Sequence, residues 1–226
     1  MAGQIVEFST NGSNSRGYLA VPASGAGPGV VVLQEWWGLV KHIETVCDRF
    51  AKEGFVAFAP DLYDGESTAN PDDAGRLMMA LEIERAERDL RSAVGFLLVQ
   101  PATTGGKVGV VGFCMGGQLA LYAASKSSDI GACADFYGIH PNVQPELDDV
   151  QCPVLGIFAE NDAFVTPQAA RELESALERS GVETEFHFFP GVDHAFFNDS
   201  RPEVYDARAA KEAWQKTLAF FRRHIG

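Results

Sequence analysis

Residues 107–125 read KVGVVGFCMGGQLALYAAS. The β-branched run at Val108, Val110 and Val111 stops at Gly112, and the helix-forming segment 118–124 begins almost at once. Cys114 is left in the tight turn between them. Gly112-Phe113-Cys114-Met115-Gly116 has the G-x-S-x-G form of a nucleophile elbow, with a thiol where the hydroxyl would stand. A strand that reverses into a helix within a few residues needs small neighbours and a backbone tolerant of unusual angles. Gly112, Gly116 and Gly117 supply both. A lone cysteine is usually a small buried hydrophobe. Glycines two before, two after and three after it, between a strand and a helix, reverse that reading for Cys114.

The chain has 226 residues, 46% of them hydrophobic, enough to bury one large core, so a single domain over residues 1–226 is expected. No run approaches the ~18–20 apolar residues needed to span a bilayer. The opening MAGQIVEFST lacks a basic segment followed by an apolar one, so a cytoplasmic location away from membranes is expected. Cys47, Cys114, Cys133 and Cys152 are widely spaced without a C-x-x-C pair, which argues against a zinc ribbon or a disulfide framework and fits a reducing compartment. A formal charge of −13 without clustered Lys and Arg argues against nucleic acid.

Outward from the elbow, residues 5–8 and 17–21 read as two short strands around the turn signal Asn11-Gly12-Ser13-Asn14, an antiparallel pair. The uninterrupted apolar run 30–33 suits a strand buried on both faces, and it ends at Gln34-Glu35-Trp36-Trp37-Gly38. A helix from about residue 40 to 53 carries Ile43, Val46, Cys47, Phe50 and Ala51 on one stripe, followed by a strand at 55–59. Asn70-Pro71-Asp72-Asp73 is a helix start, and the helix runs to about 99 with a break near 82–84. Strands follow at 132–137, 153–158 and 183–189, with a helix from Thr166-Pro167 to about 180 and a closing helix from Pro202 to His224. Strands alternating with helices after an initial hairpin imply an α/β fold, a mainly parallel sheet of about eight strands covered on both faces.

Ligands collect outside the carboxyl ends of such strands. Glu35-Trp36, Cys114-Met115, Asp162 and His194 all reach that edge. A thiol needs a base to become thiolate near neutral pH, and an imidazole needs a carboxylate to fix its tautomer. Of five histidines, His194 follows a strand in a glycine-containing loop. His187 lies within a strand, His42 and His224 lie in helices, and His140 follows a different strand. For the acid, Asp162 competes with Asp135, Asp193 and Asp199; Thr166 is better placed to cap the next helix, which leaves Asp162 available. The order nucleophile, acid, histidine is that of α/β-hydrolase chains.

Gly112-Phe113-Cys114-Met115-Gly116-Gly117, Asn161-Asp162, Gly191-Val192-Asp193-His194-Ala195-Phe196 and the pair Gln34-Glu35 together resemble the dienelactone hydrolase family, with element order matching over nearly the whole chain. The resemblance implies an α/β-hydrolase fold and a triad of Cys114, His194 and Asp162. It also implies an oxyanion hole from the amides of Trp36 and Met115, and a Glu35 that modulates the resting thiol. Trp37, Phe113, Tyr137 and Phe196 are expected to contact substrate. The implied activity is hydrolysis of a small ester or lactone by a monomer or small homo-oligomer, with no metal or organic cofactor. The family's carboxylate-binding arginines are missing: Ala195-Phe196-Phe197-Asn198 stands where one is expected, the other falls near Pro71, and Arg76 and Arg201 are nearby substitutes. Two other readings remain, a glutaminase-like or amidase-like cysteine enzyme and a non-catalytic thiol-containing binding or redox-sensing domain. Against the first, the position two beyond the histidine, where such glutaminases carry a carboxylate, is Phe196.

Overall fold

The computed structural model describes residues 2–10 and 13–226. In chain order the first half holds β1 (Gln4–Thr10), β2 (Ser13–Ala20), β3 (Gly27–Leu33), α1 (Lys41–Lys52), β4 (Val56–Pro60), α2 (Pro71–Ala80) and α3 (Ile83–Leu98). The second half holds β5 (Thr103–Phe113), α4 (Met115–Lys126), β6 (Ile130–Phe136), β7 (Val154–Ala159), α5 (Pro167–Arg179), β8 (Thr184–Phe189) and α6 (Ala207–His224). The strands form one eight-stranded sheet in the order β1-β2-β4-β3-β5-β6-β7-β8. Pairing is antiparallel from β1 to β2 and from β2 to β4, and parallel from β4 through β8. The expected hairpin pairs as read, although the Asn11-Gly12 centre of its turn lies outside the described residues.

Side chains alternate across a strand, and here both faces are covered. Val30 and Val32 of β3 join the core beneath α1 and α6, whereas Val31 and Leu33 join the core beneath α3 and α4. The apolar stripe of α1 is buried as its spacing requires. Local chemistry sets the helix starts. Asn70 caps α2 by accepting from the amides of Asp72 and Asp73, and Thr166 caps α5 by accepting from that of Ala169. The break between α2 and α3 falls at Leu81 and Glu82, both extended.

The closing helix begins at Ala207 rather than at Pro202. Residues 198–206 form consecutive tight turns, with the amide of Arg201 bonded to the carbonyl of Asn198 and that of Val204 to Arg201. Asp206 then caps the helix through the Ala209 amide at 2.7 Å.

At the centre of the sheet β5 gives way to α4 through Cys114, whose backbone has φ 54° and ψ −119°. A Cβ at Gly112 would stand 1.8 Å from the carbonyl oxygen of Gly116, so only glycine permits the reversal. One Cys114 backbone face is fastened to β6 through its amide, 3.0 Å from the Phe136 carbonyl.

Asp135, at the end of β6, is fully buried against Gly117 and Gly138, and neither carboxylate oxygen has a full hydrogen bond. Burial pushes its carboxyl from the ordinary 3.8 up to about 7, an effect the nearby Gly138 amide only partly offsets. Between those values the unfolded chain releases this proton while the folded chain keeps it, so stability falls as pH rises through that window. Asp135→Asn is expected to remove that part of the pH dependence, measured by urea unfolding of both proteins at pH 4.5 and pH 8; a stability difference independent of pH would mean Asp135 is ionised in the fold.

Candidate active site

Four strand ends meet at one cavity of about 760 Å³. From β3 come Glu35, Trp36 and Trp37, from β5 Cys114, from the loop after β6 Ile139 and His140, and from the loop after β8 His194 and Ala195. Phe164 and α5 close one side. Among non-glycine residues described, positive φ occurs at Cys114, Tyr137 and Ala195 around this cavity and at Asp64 elsewhere. Backbone held in that region costs of order 1–3 kcal/mol per residue, and such residues cluster where side chains must be aimed.

His194 Nδ1 lies 2.7 Å from Asp162 Oδ2, and that carboxylate is fully buried at its side chain. The other oxygen, Oδ1, accepts from the amides of Phe164 at 2.7 Å and Val165 at 2.9 Å. Thus the loop backbone holds the carboxylate still while its free edge fixes the imidazole tautomer, with the proton on Nδ1 and Nε2 left as an acceptor. The ring also packs between Tyr137 and Phe164, at centroid distances of 4.9 and 5.2 Å. The competing acids are placed otherwise. Asp135 lies beneath α4, Asp193 is exposed, and Asp199 bonds to His42 Nδ1 at 2.9 Å.

Burial pushes the Cys114 thiol well above its ordinary range, and the Glu35 carboxylate adds to that rise. The nearby backbone amides of Met115 and Trp36 pull the other way. The Met115 side chain is held away by a hydrogen bond from Tyr63 Oη to its sulfur at 3.0 Å. Glu35 is itself fully buried, and that raises its own carboxyl; His42, the Asn198 amide, His194 and Arg201 pull the other way. Asn198 Nδ2 donates to Glu35 Oε2, and Asn198 Oδ1 in turn accepts from the amide and hydroxyl of Ser200.

Three of the residues expected to contact substrate do not line the cavity. Phe113 and Phe196 lie within the core, and Tyr137 stands behind the His194 ring; none lines the cavity, whereas Trp37 does. Of the two substitute arginines, Arg76 is an exposed partner of Asp73 outside the cavity, and Arg201 lines the mouth. Sequence reasoning missed Asn198 as the partner of Glu35 and His140 as a wall residue. An unusual Asn four beyond the histidine, in an aromatic run, was the available signal for the first.

The dienelactone hydrolase family model matches residues 15–225. The chain belongs to this family. It is similar to "Protein usf" of Aquifex pyrophilus, 42% identical over 99% of each chain, and to a "Putative carboxymethylenebutenolidase" of Aquifex aeolicus, 40% identical over 99% of each. Among solved structures, the dienelactone hydrolase-like promiscuous phosphotriesterase P91 from metagenomic libraries superposes with a TM-score of 0.89 at 23% identity, covering 99% of this chain and 98% of that one. The acylaminoacyl peptidase of Pyrococcus horikoshii shares the fold at a TM-score of 0.75 and 15% identity, this chain spanning 42% of its length. This dienelactone hydrolase family member therefore has an α/β-hydrolase fold. No helix among its described residues is long and apolar enough to cross a membrane, and they hold no cluster of three metal-ligating side chains.

Because the carboxylate of Glu35 raises the thiol, its removal has a directional effect. Glu35→Gln is expected to shift the pH profile of Cys114 alkylation by iodoacetamide to lower pH and to speed it near neutrality. An unshifted profile would mean that Glu35 is protonated at rest.

Proposed function

We propose that this protein hydrolyses carboxylic esters or lactones through a thioester on Cys114. The observation that carries the reading is the 2.7 Å contact of His194 with Asp162 on the cavity that also exposes the elbow cysteine. His194 Nε2 takes the thiol proton, and the sulfur bonds to the substrate carbonyl carbon as its oxygen becomes an oxyanion. The amides of Trp36 and Met115 stabilise that charge; one such donor is worth about 2.7–4 kcal/mol in comparable sites. Collapse breaks the bond to the alcohol oxygen, which receives the proton from His194. Water then gives a proton to the same nitrogen and attacks the thioester, and the acid leaves as sulfur regains its proton. No step requires a metal or cofactor.

Desolvation holds Cys114 protonated at rest, so attack depends on His194 as general base rather than on a standing thiolate. Glu35 reinforces that resting state. All four cysteines are unpaired and buried, which suits a reducing, cytoplasmic setting.

Cys114→Ala is expected to abolish hydrolysis of p-nitrophenyl acetate while leaving the fold intact by circular dichroism. His194→Ala should slow both acylation and deacylation by about 10²–10⁴-fold, and Asp162→Asn by up to about 10⁴-fold through the imidazole tautomer. Stopped-flow measurement of the release burst separates the two steps; full activity in Cys114→Ala would place the chemistry elsewhere.

A further inference from the structure

The cavity is unevenly furnished. Beside the reacting groups, the lining contributed on and before α5 is apolar throughout, Phe164, Val165, Ala169, Ala170 and Leu173, and Ile139 adds to it from the loop after β6. Phe164 is 68% exposed at the rim, a large apolar surface left open to solvent.

The cationic provision is slight. His140 accepts at Nδ1 from the Asn142 amide and so carries its proton on Nε2, which donates to the Met78 carbonyl; the ring is neutral. Arg201 lines the mouth, but its Nε is 2.8 Å from Glu203 Oε1 and its guanidinium lies over the Trp37 ring. At Glu35 the hydrogen-bond donor is Asn198, a neutral amide. Nothing on the α5 wall offers a charge-assisted bond, and a carboxylate buried without one is costly. The overall charge of −13 also disfavours approach of anions.

We propose that the substrate is an uncharged ester whose apolar arm, aliphatic or aromatic, lies along the α5 wall between Phe164 and Leu173, and that carboxylated lactones and esters are poor substrates. The inference rests on the thiol-hydrolase reading above. A volume of about 760 Å³ accommodates such an arm beside the reacting carbonyl.

The test uses two matched pairs of esters, each differing only by a carboxylate. In one the charge sits on the acyl side, p-nitrophenyl hexanoate against the mono-p-nitrophenyl ester of adipic acid. In the other it sits on the alcohol side, phenyl acetate against 4-acetoxybenzoate. The neutral member is expected to have the higher kcat/KM in both pairs, by at least about tenfold. Leu173→Lys, which sets a cation on the apolar wall, should shift the ratio toward the charged member, and the wild-type ratio stands as evidence should that variant fail to fold. Preference for a charged member, with hydrolysis still lost in Cys114→Ala, would overturn this inference alone. Turnover of none of the four esters, or turnover surviving in Cys114→Ala, would overturn the thiol reading and this inference with it.

Discussion

A left-handed backbone at a single residue governs this molecule. Cys114 sits at φ 54° because β5 must end and α4 must begin within one residue, and the carbonyl of Gly116 comes too near Gly112 for any side chain there. The strain is carried by the central strands: the Cys114 amide bonds to β6, while its carbonyl accepts from Gly117 and Ile139. That one turn sets Cys114 on the cavity that the neighbouring strand ends enclose.

The surrounding loops meet the same demand in different ways. Asp162 is anchored by two amides of its own loop before it reaches the imidazole, so the His194 orientation is inherited from backbone. Glu35 is anchored by an amide side chain that is in turn held by Ser200. Both carboxylates therefore accept hydrogen bonds from uncharged amides, those of the loop backbone at Asp162 and the Asn198 side chain at Glu35.

Much of this was legible in the chain, for identifiable reasons. The strand ends announce themselves because apolar runs stop at glycines or polar residues, and the ends of parallel strands share one edge, so the sequence alone groups Cys114, Asp162 and His194. Asn70 and Thr166 were readable as caps because the interaction spans only three residues. What escaped depends on contacts between distant segments. The Asn198 contact with Glu35 joins residues 163 apart in sequence. The closing helix was read too early because Pro202 is a familiar helix opener, whereas the turns tying 198–206 to the preceding loop defer the start to the Asp206 cap. That Phe113 and Phe196 pack in the core has a related reason: a motif fixes where the backbone goes, and only the packed core decides which face an aromatic ring takes.

The burial of Cys114 beside Glu35 bears on how long the protein survives as well as on how it reacts. Peroxides attack thiolates far faster than thiols, and overoxidised sulfur is not readily recovered. In the proposed mechanism, a sulfur kept protonated until His194 removes its proton is sheltered during idle periods, and its exposure to oxidants is confined to the intervals of turnover.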